Sequence, residues 1–193
     1  IPAWYKEREW CENEQSWRVK RMYSEFDDTV KQIQLFHRSG GYDYQIILLG
    51  FAPNFRHFLH RQGVYRAPYW SCFDAIQEIR RKKAGVMSFH DLEWPEGIEF
   101  LYTPFVVVAM LGKEKYAQID FAEDGNPIWV EFYRNDTLIR RDLFDDRGFT
   151  SSIVYYEDGQ PVYQDYLTEN GLRKFRRYYQ DGRVEINERC PGY

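Results

Sequence analysis

Two adjacent carboxylate pairs, Asp27-Asp28 and Asp145-Asp146, are the first residues of this 193-residue sequence to invite a chemical reading. Paired acids do acid–base work when their surroundings drive their pKa values apart. Neighbours in sequence point in different directions, though, and each pair has a simpler use. Asp27 or Asp28 is placed to cap a helix, its carboxylate accepting the orphan amide hydrogens of a first turn. Asp145-Asp146 runs into Arg147-Gly148 and reads as part of a turn. His57 and His60 stand three apart and share a helix face. A metal would want a third ligand and a second shell, and Arg56 and Arg61 surround the pair with positive charge. The run Arg173-Lys174-Phe175-Arg176-Arg177, followed by Tyr178 and Tyr179, interleaves cations and rings as single-strand nucleic-acid binders do. Cross-strand pairing with Asp142, Glu157 and Asp165 is the plainer use for it. The glycine patterns GxGxxG and GxxxxGK[ST] and the nucleophile elbow GxSxG are all absent. The sequence therefore presents neither catalytic residues nor a cofactor or metal site.

Composition narrows the partners. A net charge of -4 supplies no global field to gather nucleic acid. Cys11, Cys72 and Cys190 share no tight spacing, which argues against a disulfide framework or a zinc site and fits a reducing compartment. The longest apolar run, 105–111, is strand-sized and far short of a membrane span. The chain opens at Ile1 with no basic-then-apolar leader. These features lead us to expect a soluble cytoplasmic protein. With 16 Tyr, 14 Phe and 6 Trp, the chain has the aromatic weight of a strand-rich fold.

The elements that must position these residues fall into two grammars. Over 1–102 strands alternate with helices. Ile1-Pro2-Ala3-Trp4 reads as the end of a buried strand, and a polar loop with Trp10 and Trp17 follows. A helix with Val30, Ile33, Leu35 and Phe36 on its apolar side ends at Gly40-Gly41. The nearly continuous apolar run 44–50 suits a parallel strand covered on both faces. Asn54 is placed to cap a short helix through Arg61, and Trp70, Phe73, Ile76 and Ile79 mark a helix over 70–82. Segments 85–89 and 97–102 read as further strands, which completes a parallel α/β layer of Rossmann type.

Over 103–193 the punctuation changes. Turn pairs recur at Asp124-Gly125, Asn135-Asp136, Arg147-Gly148, Asp158-Gly159, Asn170-Gly171 and Asp181-Gly182, in steps of 11, 12, 11, 12 and 11 residues. Asp-Gly and Asn-Gly tolerate the positive φ angles of tight hairpins. Strands of roughly eight residues, about 26 Å long, then form an up-and-down antiparallel meander. In Ile128-Trp129-Val130-Glu131-Phe132-Tyr133 one face carries Ile, Val and Phe and the other Trp, Glu and Tyr. A sheet patterned this way is either covered twice or left open as a platform for another chain.

Several strings, in order, resemble the first accessory Sec protein family of Gram-positive bacteria. They are Ile1-Pro2-Ala3-Trp4, Phe26-Asp27-Asp28-Thr29, Phe58-Leu59-His60-Arg61-Gln62, Asp91-Leu92-Glu93-Trp94 and Tyr102-Thr103-Pro104-Phe105, followed by Phe144-Asp145-Asp146-Arg147-Gly148-Phe149, Tyr155-Tyr156-Glu157-Asp158-Gly159-Gln160 and Gln164-Asp165-Tyr166-Leu167. The resemblance implies α/β plus antiparallel β. It points to an incomplete Rossmann-like domain of a GT-B glycosyltransferase-like fold, with an extended β-meander sheet inserted. It also implies a non-catalytic adaptor that works with two partner accessory proteins. Together they deliver a serine-rich-repeat glycoprotein to a dedicated SecA-type motor and SecY-type channel, with peripheral contact to the membrane through the translocase. On that reading Trp129, Tyr133, Tyr155, Tyr163 and Tyr166 are candidate contacts, since rings bury area at low entropic cost and stack on sugars. Two other readings remain open: the acceptor-binding half of an active protein O-glycosyltransferase, and a β interaction module fused to an unrelated α/β domain.

Overall fold

The computed structural model describes residues 28–40, 43–104, 106–122 and 125–187. The strand and Trp-bearing loop expected over the first residues lie outside these, as do Asp27, Cys11, Cys190 and Asp124. Helix α1 (Asp28–Ser39) ends where Gly40 takes φ +62°, a left-handed stop that glycine adopts without penalty. Its expected stripe is only partly used. Ile33 packs on the core, while Leu35 and Phe36 are exposed.

Strand β1 (Ile46–Leu48), helix α2 (Phe55–Arg61) and strand β2 (Tyr69–Ser71) form a parallel βαβ unit, with Ile46 opposite Tyr69 and Ile47 opposite Trp70. A small core of Ile46, Leu48, Phe55, Phe58, Leu59, Val64 and Ala67 holds it together. Strand β1 is shorter than 44–50, and Ile47 and Leu49 are exposed, so among the described residues it is covered on one face only. Asn54 does precede α2, but its side chain makes no cap bond. Asp146, ninety residues later, caps instead: its Oδ2 accepts the Arg56 N–H at 2.9 Å.

The helix expected over 70–82 is corrected to α3 (Cys72–Ile76). Trp70 belongs to β2, and Ser71 caps α3 by accepting the Asp74 N–H. The helix stops because Glu78 sits at φ +57° and Gln77 turns inward to bond the large sheet. Segment 85–89 is not a strand. Gly85 is pressed so closely on the next hairpin that a Cβ there would lie 2.1 Å from the Arg147 carbonyl oxygen. Beyond it, Ser88 and Asp91 form a capping box around the short 3₁₀ helix Phe89–Asp91.

The remaining strands make one nine-stranded antiparallel sheet whose order follows the chain. They are β3 (Ile98–Tyr102), β4 (Val106–Leu111), β5 (Glu114–Phe121), β6 (Pro127–Arg134), β7 (Thr137–Asp145), β8 (Phe149–Glu157), β9 (Gln160–Leu167), β10 (Arg173–Tyr178) and β11 (Val184–Ile186). The meander is as expected, with one correction. Segment 97–102 supplies β3, the edge of this sheet beside β4, and not a strand of the parallel layer. The turns explain the pairing: Asn135, Asp136, Asp158 and Gly159 all adopt positive φ, as tight hairpins that follow strand twist require.

Two pieces of chain cover opposite faces of the sheet. Antiparallel partners share a face, so the register assigns each residue. On one face Val107, Ala109, Ala117, Ile119, Val130 and Phe144 are buried beneath a strap formed by Met87, Phe89, Leu92 and Trp94. On the other, Tyr166 and Phe175 pack against Phe51 and Phe73 of the α/β unit. We call these the strap face and the docking face.

Candidate functional site

Of the places where chemistry was conceivable, the Asp145-Asp146 pair lies at the junction of the α/β unit and the sheet. Asp145 and Asp146 end β7 and enter the turn before β8, as expected, but both are buried there. Arg147 lies between two carboxylates. Its Nε and Nη2 donate to Asp145 at 2.6 and 2.7 Å, and its Nη1 and Nη2 donate to Asp74 of α3 at 2.7 and 2.8 Å. Such doubled charge-assisted bonds fix orientation as well as energy. Burial pushes the Asp145 carboxyl up and the Arg147 pairing opposes it. Asp146 is driven up to about 7, chiefly by burial and then by the neighbouring Asp145 charge, with His57 and Arg147 partly offsetting. The Tyr69 hydroxyl, beside the same cluster, is pushed up to about 12 by burial.

Further bonds close the seam. Gln77 Nε2 donates to the Ser151 and Leu167 carbonyls at 2.8 and 2.6 Å. The Glu169 carboxylate accepts the Arg80 and Arg81 amides, and buried Lys174 pairs with Glu78 at 2.8 Å. Asp74, Gln77 and Glu78 stand in no motif and were invisible to sequence reasoning, whereas Lys174 was marked in the basic run without its Glu78 partner. Only the string around Asp145 to Arg147 marked the place. A cleft of about 450 Å³ opens beside this seam, lined by Trp70, Ser71, Asp74, Arg81, Lys82 and Arg147. The Asp74 and Arg147 charges that reach it are spent on one another. His57 and His60 gather no third ligand, and no group of three metal-ligating side chains exists among the described residues.

The five candidate contact residues do not form one surface. Tyr166 is 1% exposed, stacked on Phe175 at 4.3 Å with its hydroxyl donating to Gln164, and therefore belongs to the core. Trp129 and Tyr133 lie on the docking face, beyond the α/β unit. There the Tyr133 hydroxyl donates to Glu131 at 2.6 Å, Lys115 sits 3.8 Å over its ring, and Arg141 pairs with Glu131 while lying over Trp129. Burial and the Glu131 carboxylate push the Tyr133 hydroxyl up. Tyr155 and Tyr163 lie opposite each other on the strap face, since Arg140 pairs with Tyr155 and Tyr155 with Tyr163. They are half-buried and their ring centroids are 4.7 Å apart. The basic run on β10 pairs across strands: Arg176 with Asp165 at 2.6 Å and Arg173 with Glu185 at 3.2 Å, while Asp142 goes to Arg140.

A parallel βαβ unit seated on a long antiparallel meander is a fold that this chain shares with glycosyltransferase chains. The pneumococcal O-GlcNAc transferase GtfA, solved with UDP and GlcNAc, shares it at a TM-score of 0.63 and 13% identity over 82% of this chain and 36% of that one, a likeness of fold alone. Residues 1–191 match the accessory Sec system protein family, accessory secretory protein 1, and the chain belongs to that family. Family relatives from Streptococcus gordonii and Staphylococcus aureus (strain NCTC 8325 / PS 47) are 39% and 38% identical over 97% and 98% of this chain. The chain spans 36% and 37% of their lengths. Two solved assemblies contain similar chains. They are the glycosylation-associated protein (Gap123) complex of Streptococcus agalactiae (TM-score 0.86, 40% identity) and the complex of accessory secretory proteins 1, 2 and 3 of Streptococcus pneumoniae (TM-score 0.86, 36% identity). Each likeness covers 97% of this chain and 38% of the other.

Proposed function

We propose that this chain is the amino-terminal part of a non-catalytic adaptor that presents its nine-stranded sheet to other proteins of an accessory export system. The observation that carries the reading is the fate of the acidic and basic groups. At the junction, Asp145, Asp146, Arg147 and Asp74 are consumed in bonds that fasten the α/β unit to the sheet. What remains is a broad sheet with patterned ring-bearing surfaces on both sides of its far end. The partners we propose are the two other accessory secretory proteins, as in the pneumococcal assembly, and beyond them a dedicated SecA-type motor and a serine-rich-repeat glycoprotein. Work in the cytoplasm, with membrane contact through the translocase, belongs to the same proposal. No helix among the described residues is long and apolar enough to cross a membrane. We propose a division into the α/β unit with its strap and the sheet that begins near residue 98.

Co-purification with the two other accessory proteins tests this. Trp129→Ala on one face, or Tyr155→Ala with Tyr163→Ala on the other, should weaken recovery of a partner while the fold, read by circular dichroism, stays intact. Undiminished recovery from every variant would remove the sheet from the mechanism. Transfer of sugar from a sugar nucleotide by the same preparation would replace the adaptor with an O-glycosyltransferase.

A further inference from the structure

The cleft beside the seam follows a strand rim that the fold leaves open. It touches residues 67–71 in succession, which are β2 and the two residues before it. Successive strand residues point to opposite faces, so a cleft that meets all of them runs along the rim of β2 and not over one face. On its other side β2 pairs with β1, and among the described residues the parallel sheet has these two strands. The register fixes which backbone groups reach the cleft. The Ile46 N–H donates to the Pro68 carbonyl at 2.8 Å, and Ile46 stands opposite Tyr69. Pro68 and Trp70 therefore turn their backbone toward β1, while Tyr69 turns its N–H and carbonyl outward. Trp70, 45% exposed, adds an apolar wall.

The opposite bank is cationic. After α3 the chain runs on as Arg80-Arg81-Lys82-Lys83, and all four residues are exposed. Arg81 and Lys82 line the cleft itself. Arg81 Nη1 donates to the Arg147 and Gly148 carbonyls at 3.1 and 3.3 Å, which hold the side chain without cancelling its charge. The Arg80, Lys82 and Lys83 side chains make no ion pair among the described residues. The carboxylates nearby are engaged: Asp74 and Asp145 hold Arg147, and Glu169 accepts the Arg80 and Arg81 amides. Glu169 alone does not balance four cations.

We propose that the cleft receives an extended, acidic segment of a partner protein, which adds as a strand along Tyr69 and sets its carboxylates against Arg80, Lys82 and Lys83. Rim and charge together select this occupant. A phosphate polymer or a lipid headgroup answers the cations, but the alternating N–H and carbonyl of a strand rim are matched by another backbone. A neutral segment answers the rim and leaves the cations bare. The inference extends the adaptor reading to a surface on the α/β unit, away from the far end of the sheet, and rests on that reading only in supposing a protein partner.

The test measures binding of a labelled peptide of alternating glutamate and valine to the intact chain. The other probes are a lysine–valine peptide, anionic phospholipid vesicles and oligothymidine, with two further versions of the glutamate peptide, one N-methylated on its glutamates and one on its valines. Lys82→Gln should weaken the glutamate peptide about two-fold, and Arg80→Gln, Lys82→Gln and Lys83→Gln combined about ten-fold. Lys113→Gln, at the exposed turn after β4, should change nothing. Only alternate amides of an added strand face β2, so one N-methylated version should lose about five-fold while the other is spared. Equal binding by wild type and triple variant, equal effects of the two methylations, preference for the lysine peptide, or binding of vesicles or oligothymidine alone would each overturn the proposal. So would a Lys82 that resists acetylation before any peptide is added, because the rim would already be covered. Co-purification with the two other accessory proteins is read alongside. Failure of the wild-type protein to assemble sinks the adaptor, whereas assembly with no effect of the triple variant on the peptide sinks the cleft alone.

Discussion

Replacing Arg147 by methionine keeps the length of the stem and deletes the guanidinium at the seam. Five guanidinium hydrogen bonds disappear, two to Asp145, two to Asp74 and one to the Arg81 carbonyl. The two carboxylates do not suffer alike. The Asp74 side chain is 24% exposed and water can take over its lost bonds, whereas Asp145 is 0% exposed and is left as a charge with no cation beside it. Removing one member of a buried pair costs about 3–5 kcal/mol, limited here because Asp145 can take up a proton instead. We expect Arg147→Met to lose about 3–4 kcal/mol at neutral pH. Adding Asp145→Asn to it should recover more than half, since the double variant leaves no unpaired charge at position 145. Urea unfolding followed by far-ultraviolet circular dichroism measures both, and limited proteolysis should find new cuts within 77–88, where α3 loses its anchor. A loss under about 1 kcal/mol for the single variant, or no recovery in the double, would mean that the seam is held by apolar contact and not by this ion pair.

Further outcomes follow from neighbouring features. The Asp146 carboxyl has a folded pKa raised to about 7 by burial, so its uncharged form is favoured in the fold. Its contribution is fully present below the ordinary carboxylate pKa and is lost as pH rises toward 7, by at most about 4 kcal/mol. Asp146→Asn keeps an oxygen for the Arg56 amide and should flatten that part of the stability–pH curve; an unchanged slope would contradict this. Tyr166→Ala should cost about 3–5 kcal/mol by opening the Phe51–Phe73–Phe175 cluster, read as a lower urea midpoint, and affect every partner equally. Gly85→Ala places a methyl against the Arg147 carbonyl and should cost roughly 1–3 kcal/mol, seen as a lower Tm.

The meander was legible because its turns are local events. Asn135-Asp136 and Asp158-Gly159 need positive φ whatever surrounds them, so spacing alone located the hairpins. The helix expected at 70–82 failed for the opposite reason. Its threefold apolar spacing is real, but Trp70 pairs with β1, Phe73 packs on the sheet and Gln77 is drawn to Ser151 and Leu167, all long-range demands. The candidate contacts divide between the two faces by parity. Tyr163 and Tyr166 differ by three positions, which puts them on opposite faces, and only the docked α/β unit decides which face is core. The same limit hid Asp74 and the Glu78 partner of Lys174, pairs whose members lie 73 and 96 positions apart in the chain.

Every second hairpin of the sheet meets the α/β unit or the strap: the turns near 125, 147 and 170 are held at Asn126, Arg147 and Glu169. The intervening turns near 112, 135 and 158 are exposed. The molecule is thus clamped along one rim, and its strands run outward as a lever about 26 Å long. At the tip the two tyrosine-bearing surfaces lie back to back. Under the adaptor proposal, whatever binds one side and whatever binds the other would be carried by the same few strands.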